Sequence, residues 1–155
     1  MEIDECNPVS VSRRIEAPAE VIFELLANPD RHPEFDGSEM LRTGASNEVI
    51  VGVGDVFVTK MYFTAMGAYE MHNRIVAFEV NRCVAWEPGN PELASNGSRW
   101  RFDLSPDAPD ATVVTETYDC TDSPESVREA VDNGHAWVAG MTRTLERLDQ
   151  LCTSP

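Results

Sequence analysis

Ser123-Pro124-Glu125-Ser126-Val127 opens a stretch that runs on to Leu148-Asp149-Gln150-Leu151, and its reading decides the architecture of the whole chain. Apolar residues recur at Val127, Val131, Val138, Met141, Leu145, Leu148 and Cys152, with Gly134 in the gap, at spacings of three and four. That pattern predicts one amphipathic helix over 123–151 with a single buried stripe, and not a membrane span. Ser123 is placed to cap it, Pro124 suits its first turn, and Glu125 lies where the helix dipole favours an anion. At about 1.5 Å per residue such a helix is roughly 42 Å long, more than ordinary packing in a small globule requires. It has to lie along a large sheet.

Gly134 and Gly140 sit inside this stretch, where each costs about 1 kcal/mol relative to alanine in a helix interior. Trp137 and Met141 lie between and beyond them on the inward side. Small residues beside large adaptable ones suit a cavity wall. The same glycines also suit a close helix-to-sheet approach, and Asn133-Gly134 is a place where the helix can break in two. All three readings are open.

Composition narrows the function classes. A chain of 155 residues fits one domain over 1–155 and can bury a real core. With 12 Lys and Arg against 27 Asp and Glu, the formal net charge of −15 opposes binding to nucleic acid or to an anionic membrane surface. Cys6, Cys83, Cys120 and Cys152 are scattered, with no C-x-x-C pair, so neither a zinc site nor a disulfide framework is indicated. The leader 1–8 is acidic and carries no signal-peptide pattern, and no apolar run approaches a membrane-spanning length. The expectation is a cytoplasmic protein, monomer or homodimer.

In chain order, Val9, Val11 and Ile15 form one face of a first strand, with Arg13 as the exception in that row. Ala17-Pro18-Ala19-Glu20 opens a helix with Val21, Ile22, Leu25 and Leu26 on its apolar side, ended by Asn28-Pro29, and a short helix or turn follows in 30–35. From Met40 the period changes to two. Segments at 40–42, 49–51, 55–63, 69–76, 83–86, 99–104 and 112–118 suit strands, with turns near Gly44, Gly52-Val53-Gly54 and Met66-Gly67. The order is one strand, two helices, about six meandering antiparallel strands and a closing helix. Such a sheet must cover one face, and only the closing helix is long enough to do it. In Arg99 to Leu104 the aromatic set Trp100, Phe102 and Leu104 faces inward.

This order, together with Ile15-Glu16-Ala17-Pro18-Ala19-Glu20-Val21-Ile22-Phe23, Pro29 to Phe35, Arg82-Cys83-Val84-Ala85-Trp86, Ser98 to Phe102 and Thr115-Glu116-Thr117-Tyr118, resembles the START-like (SRPBCC) superfamily and its polyketide cyclase/dehydrase-like and lipid-transfer members. The resemblance spans Val9 to Leu151. It implies an α+β helix-grip fold, a curved antiparallel sheet wrapped around the long C-terminal helix, with an apolar cavity between them for a small hydrophobic or lipid-like molecule. Relatives often carry tryptophan after the Pro-Glu of the second short helix. Phe35 here keeps the aromatic lid and drops the indole donor.

The walls expected for that cavity are Phe35, Tyr69, Met71, Trp86, Trp100, Phe102, Trp137 and Met141. His32, His72 and His135 show no metal-ligand spacing, no G-x-S-x-G elbow exists, and no phosphate-cradling glycine motif is present, so neither metal nor cofactor is expected. The polar candidates are Arg82, Tyr69, Glu116, Tyr118 and His72. Glu116 shares parity with Val114 and Tyr118, and in that register it is a carboxyl carried into apolar surroundings, suited to acid/base work. In the preferred opposite register Val113, Thr115 and Thr117 face inward and Glu116 is a solvated surface charge. Three functions follow: a carrier of a hydrophobic ligand, which is favoured; a cofactor-independent cyclase or dehydratase using Glu116, Tyr118 or His72; or an interaction scaffold with a filled core. Entry to the cavity is expected between Pro29–Phe35 and Gly52-Val53-Gly54, opposite Gly134.

Overall fold

A computed structural model describes residues 6–43, 45–92 and 94–154. The turn expected near Gly44 and most of the leader lie outside the described residues. The first strand, β1 (Val9–Ile15), turns its Val9 and Ile15 inward and leads into α1 (Ala19–Leu26). Pro18 holds an extended backbone just before α1, Glu20 lies in its first turn, and Ile22, Phe23, Leu25 and Leu26 are buried. A 3₁₀ segment, Pro29–Glu34, follows the Asn28-Pro29 stop.

The remaining strands are β2 (Leu41–Arg42), β3 (Val56–Phe63), β4 (Gly67–Glu79), β5 (Cys83–Gly89), β6 (Arg99–Ala108) and β7 (Ala111–Asp119). They form one curled antiparallel sheet in the order β1-β7-β6-β5-β4-β3-β2, so β2 to β7 follow one another as neighbours while β1 lies beyond β7 at the opposite edge from β2. This is the expected α+β helix-grip architecture. The strand expected at 49–51 is absent: the backbone N–H of Ile50 donates to the Ala27 carbonyl (2.8 Å), which tethers this segment to the end of α1 instead of to the sheet. Asn47 occupies the place of a neighbouring strand, pairing both its side-chain groups with the backbone of Val58 at 2.8 Å.

The single helix over 123–151 is also corrected. The chain forms a short α2 (Glu125–Ala130), a 3₁₀ segment (Asp132–Trp137) and then α3 (Val138–Thr153), 16 residues long. Asp132, Asn133 and Gly134 have φ of 51°, 52° and 96°, so three consecutive residues occupy the left-handed region that Asp, Asn and Gly tolerate best. Pro124, not Ser123, precedes α2, and the buried Ser123 hydroxyl makes no hydrogen bond. Nothing in α2 is buried. The stripe survives in α3, where Met141, Thr144, Leu145 and Leu148 point inward.

Gly37, and not Gly140, allows a close approach here, since a Cβ on Gly140 would stay 3.4 Å or more from the facing loop. A Cβ on Gly37 would meet the Gly140 carbonyl oxygen at 2.4 Å, so the 36–39 loop lies directly on α3. Gly37 N–H donates to Thr144 Oγ1 (2.8 Å), and Arg143 Nε donates to the Gly37 carbonyl (2.9 Å). Arg13, the odd member of the inward row of β1, reaches Asp149 on α3 at 2.7 Å. Both partners retain solvent, so the pair is worth no more than about 1 kcal/mol.

Candidate functional site

Between the concave face of the sheet and the first two turns of α3 lies a cavity of about 260 Å³. All eight expected wall residues, Phe35, Tyr69, Met71, Trp86, Trp100, Phe102, Trp137 and Met141, line it. The rings form two groups. In one, Trp86 stacks on Phe102 (centroids 6.0 Å apart) and on His32 (5.7 Å), and Phe57 stands edge-on to Trp86 and His32. In the other, Trp100 lies 4.5 Å from Tyr118, and Trp137 packs on both.

Glu116 stands at the junction, facing inward and not in the solvated surface position that the sequence favours. It pairs across β6 with Phe102 and across β1 with Val11, and the next inward residue along β7 is Tyr118. Phe102 faces inward, so its cross-strand partner must too. Glu116 is 4% exposed, its Oε1 has no hydrogen-bond partner, and it lines the cavity. Burial, reinforced by the nearby Asp36 carboxyl, holds its pKa well above the ordinary carboxylate range.

Asp36 is a wall residue that the sequence reading missed. Its backbone carbonyl accepts from Arg147 Nη1, and its carboxylate accepts from the backbone N–H and hydroxyl of Ser38. Burial raises its pKa, while the Ser38 donors and Arg147 oppose the rise. His32 was also missed. It is buried, its Nε2 donates to the Leu26 carbonyl (2.8 Å), and burial lowers its pKa to about 4, so the ring is neutral. Asn73, on the same strand parity as Tyr69 and Met71, lines the cavity and donates to the Phe57 carbonyl (3.2 Å). Parity alone identifies Asn73; nothing short of the tertiary fold identifies Asp36 or His32.

Other candidates fall away. His72 has the opposite parity from Met71 and Asn73, so it lies on the outer face, its Nε2 3.5 Å from a Glu70 carboxylate oxygen. Arg82 is exposed in the turn before β5. Gly52-Val53-Gly54 contributes nothing to the cavity wall; Gly54 N–H donates to the Ile75 carbonyl (2.9 Å), just beyond the lining residues Phe57 and Asn73, which removes the glycine half of the expected entrance. Gly134 stands behind Tyr118, where a Cβ would come within 2.9 Å of the ring. Among the described residues, no three His, Cys, Asp or Glu side chains gather in a metal-holding group, and no helix is long and apolar enough to cross a membrane.

Comparison with known proteins agrees with this architecture. A family described as polyketide cyclase / dehydrase and lipid transport matches residues 8–153. An uncharacterized protein of Mycobacterium tuberculosis is 36% identical over 117 residues, covering 74% of this chain and 49% of that protein. The chain thus spans about half the length of the curated relatives it matches. Protein Ms6760 of Mycobacterium smegmatis superposes with a TM-score of 0.71 at 15% identity, covering 99% of this chain and 94% of that one. The AHSA1-like protein of Aeromonas hydrophila does so at 0.66 and 16%, covering 94% of each. At these identities the likeness extends to the fold.

Proposed function

The chain belongs to the polyketide cyclase / dehydrase and lipid transport family, and from that premise we propose that it binds and carries a small, largely apolar molecule between the sheet and α3. The cavity of about 260 Å³ carries this reading. Close-packed interiors leave few voids larger than a water molecule, and an apolar cavity of roughly 150 Å³ already admits benzene. The space here suits one or two fused rings with a short substituent. Its wall is that of a binding site, broad aromatic surfaces with a few orienting polar groups. A scaffold whose aromatics only pack would have filled this space.

A second reading, cofactor-independent acid/base catalysis such as cyclisation or dehydration, is favoured by one observation. Glu116 faces the cavity with an unpartnered oxygen, and burial raises its pKa, so the carboxyl holds its proton to higher pH than an ordinary carboxylate, as a general acid must. Native mass spectrometry of protein purified from its own source separates the readings. A carrier retains a small organic molecule that denaturation releases chemically unchanged; an enzyme converts the molecule on incubation. Bare chain alone, together with no change in the tryptophan indole NMR signals on adding 2-acetylnaphthalene, would remove both.

A further inference from the structure

Glu116 Oε1 is buried in the cavity wall with no hydrogen-bond partner, and its surroundings fix what it can do there. Its cross-strand neighbours, Val11 and Phe102, are apolar. The other titratable groups of the wall are His32, Asp36, Tyr69 and Tyr118. His32 is committed to the Leu26 carbonyl, and Asp36 accepts from Ser38. The nearest arginines of α3 turn elsewhere: Arg143 to the Gly37 carbonyl, Arg147 to the Asp36 carbonyl and the Glu39 carboxylate. Among the described residues no cation of the cavity wall faces Glu116, and a neutral carboxyl is the form this site accommodates. A neutral carboxyl has a proton to donate, and leaving a buried donor unpaired costs free energy that a ligand acceptor returns. Asp36 in the same wall disfavours an anionic acceptor.

Resting on the ligand-binding reading above, we propose that the cavity selects an uncharged, carbonyl-bearing ligand, a ketone or ester on an aromatic or alicyclic body, whose oxygen accepts a hydrogen bond from the Glu116 carboxyl. The body lies among Trp86, Trp100 and Phe102, and the carbonyl points at β7. The placement of Glu116 between the two ring groups sets which end of the ligand is read.

Three probes of one shape test this on the purified protein, followed through the tryptophan indole NMR signals: 2-acetylnaphthalene, its hydrocarbon isostere 2-isopropenylnaphthalene, and 1-(2-naphthyl)ethylamine. The ketone is expected to bind about tenfold more tightly than the alkene, the worth of one net hydrogen bond. Glu116→Gln, whose amide still donates, keeps that preference, and Glu116→Leu abolishes it. Equal binding of ketone and alkene, or a preference for the protonated amine, overturns the inference and leaves the binding site standing. Failure of all three probes to bind overturns the binding reading itself.

Discussion

One sheet and one helix build two unlike ends of this molecule. At one end α1 lies over the concave face, and Ile15, Ile22, Leu26, Ile75, Val84, Val114, Leu145 and Leu148 are all at most 2% exposed. At the other no such helix intervenes, and the rings of Trp86, Trp100, Phe102 and Trp137 border open space. The change can be followed along β7, whose inward residues run Thr112, Val114, Glu116, Tyr118 from the closed end to the open one. Thr112 donates its hydroxyl to the Ala17 carbonyl (2.9 Å), Val114 is sealed in the core, and Glu116 meets the cavity. A cavity in this fold is therefore the part of the sheet that α1 does not reach. Large rings shape it because they span a gap that aliphatic side chains would have to fill.

The sharpest way to break this comparison is truncation at each end. Leu148→Ala in the closed core removes a fully buried side chain and leaves a void, with an expected loss of about 2–5 kcal/mol in denaturant unfolding. Met71→Ala at the cavity wall removes a half-buried side chain beside space that already exists, and about 1 kcal/mol is expected. Equal losses would mean that the two ends are packed alike.

His32 sits on the seam, bonded to the last turn of α1 and stacked on the cavity ring of Trp86. Its folded pKa of about 4 lies below the ordinary 6.5, so between those values the unfolded chain binds a proton that the folded chain does not. Stability must therefore fall as the pH drops through that window. Glu116, with its raised pKa, acts in the opposite sense: its contribution is present at low pH and is lost as the pH rises through its folded value. Comparing wild type with His32→Gln isolates the first effect. The wild type is expected to lose about 2 kcal/mol more than the variant between pH 7 and pH 5. Parallel curves would show that the ring is solvated and that the seam is open.

Much of this was legible in the chain. The alternation Trp100, Phe102, Leu104 gave the inward face of β6, the parity of Tyr69 and Met71 gave that of β4, and every expected wall residue reached the cavity. Glu116 was not legible, because Val113 to Tyr118 alternates equally well in either register. A regular hairpin closing at Ala108 and Ala111 would place Phe102 opposite Thr117 and leave Glu116 outside. The register shift between Pro106 and Ala108 moves the pairing by one residue and turns the carboxyl inward. The helix break was visible only as Asp-Asn-Gly, a sequence that tolerates left-handed backbone without requiring it. Asp36 and His32 reach the cavity because the 3₁₀ segment and its loop are pressed onto α3 through Gly37 and Gly140, a contact across more than a hundred residues that no local pattern encodes.

The central claim, that one end of the sheet is open and the other closed, is tested most directly by a crystal structure under xenon pressure, since xenon enters dry apolar cavities large enough to hold it. Xenon density is expected beside Trp100, Phe102 and Met141, and none among Ile22, Leu26, Leu145 and Leu148. Rings rotated to fill the space, with no xenon at that end, would contradict the account.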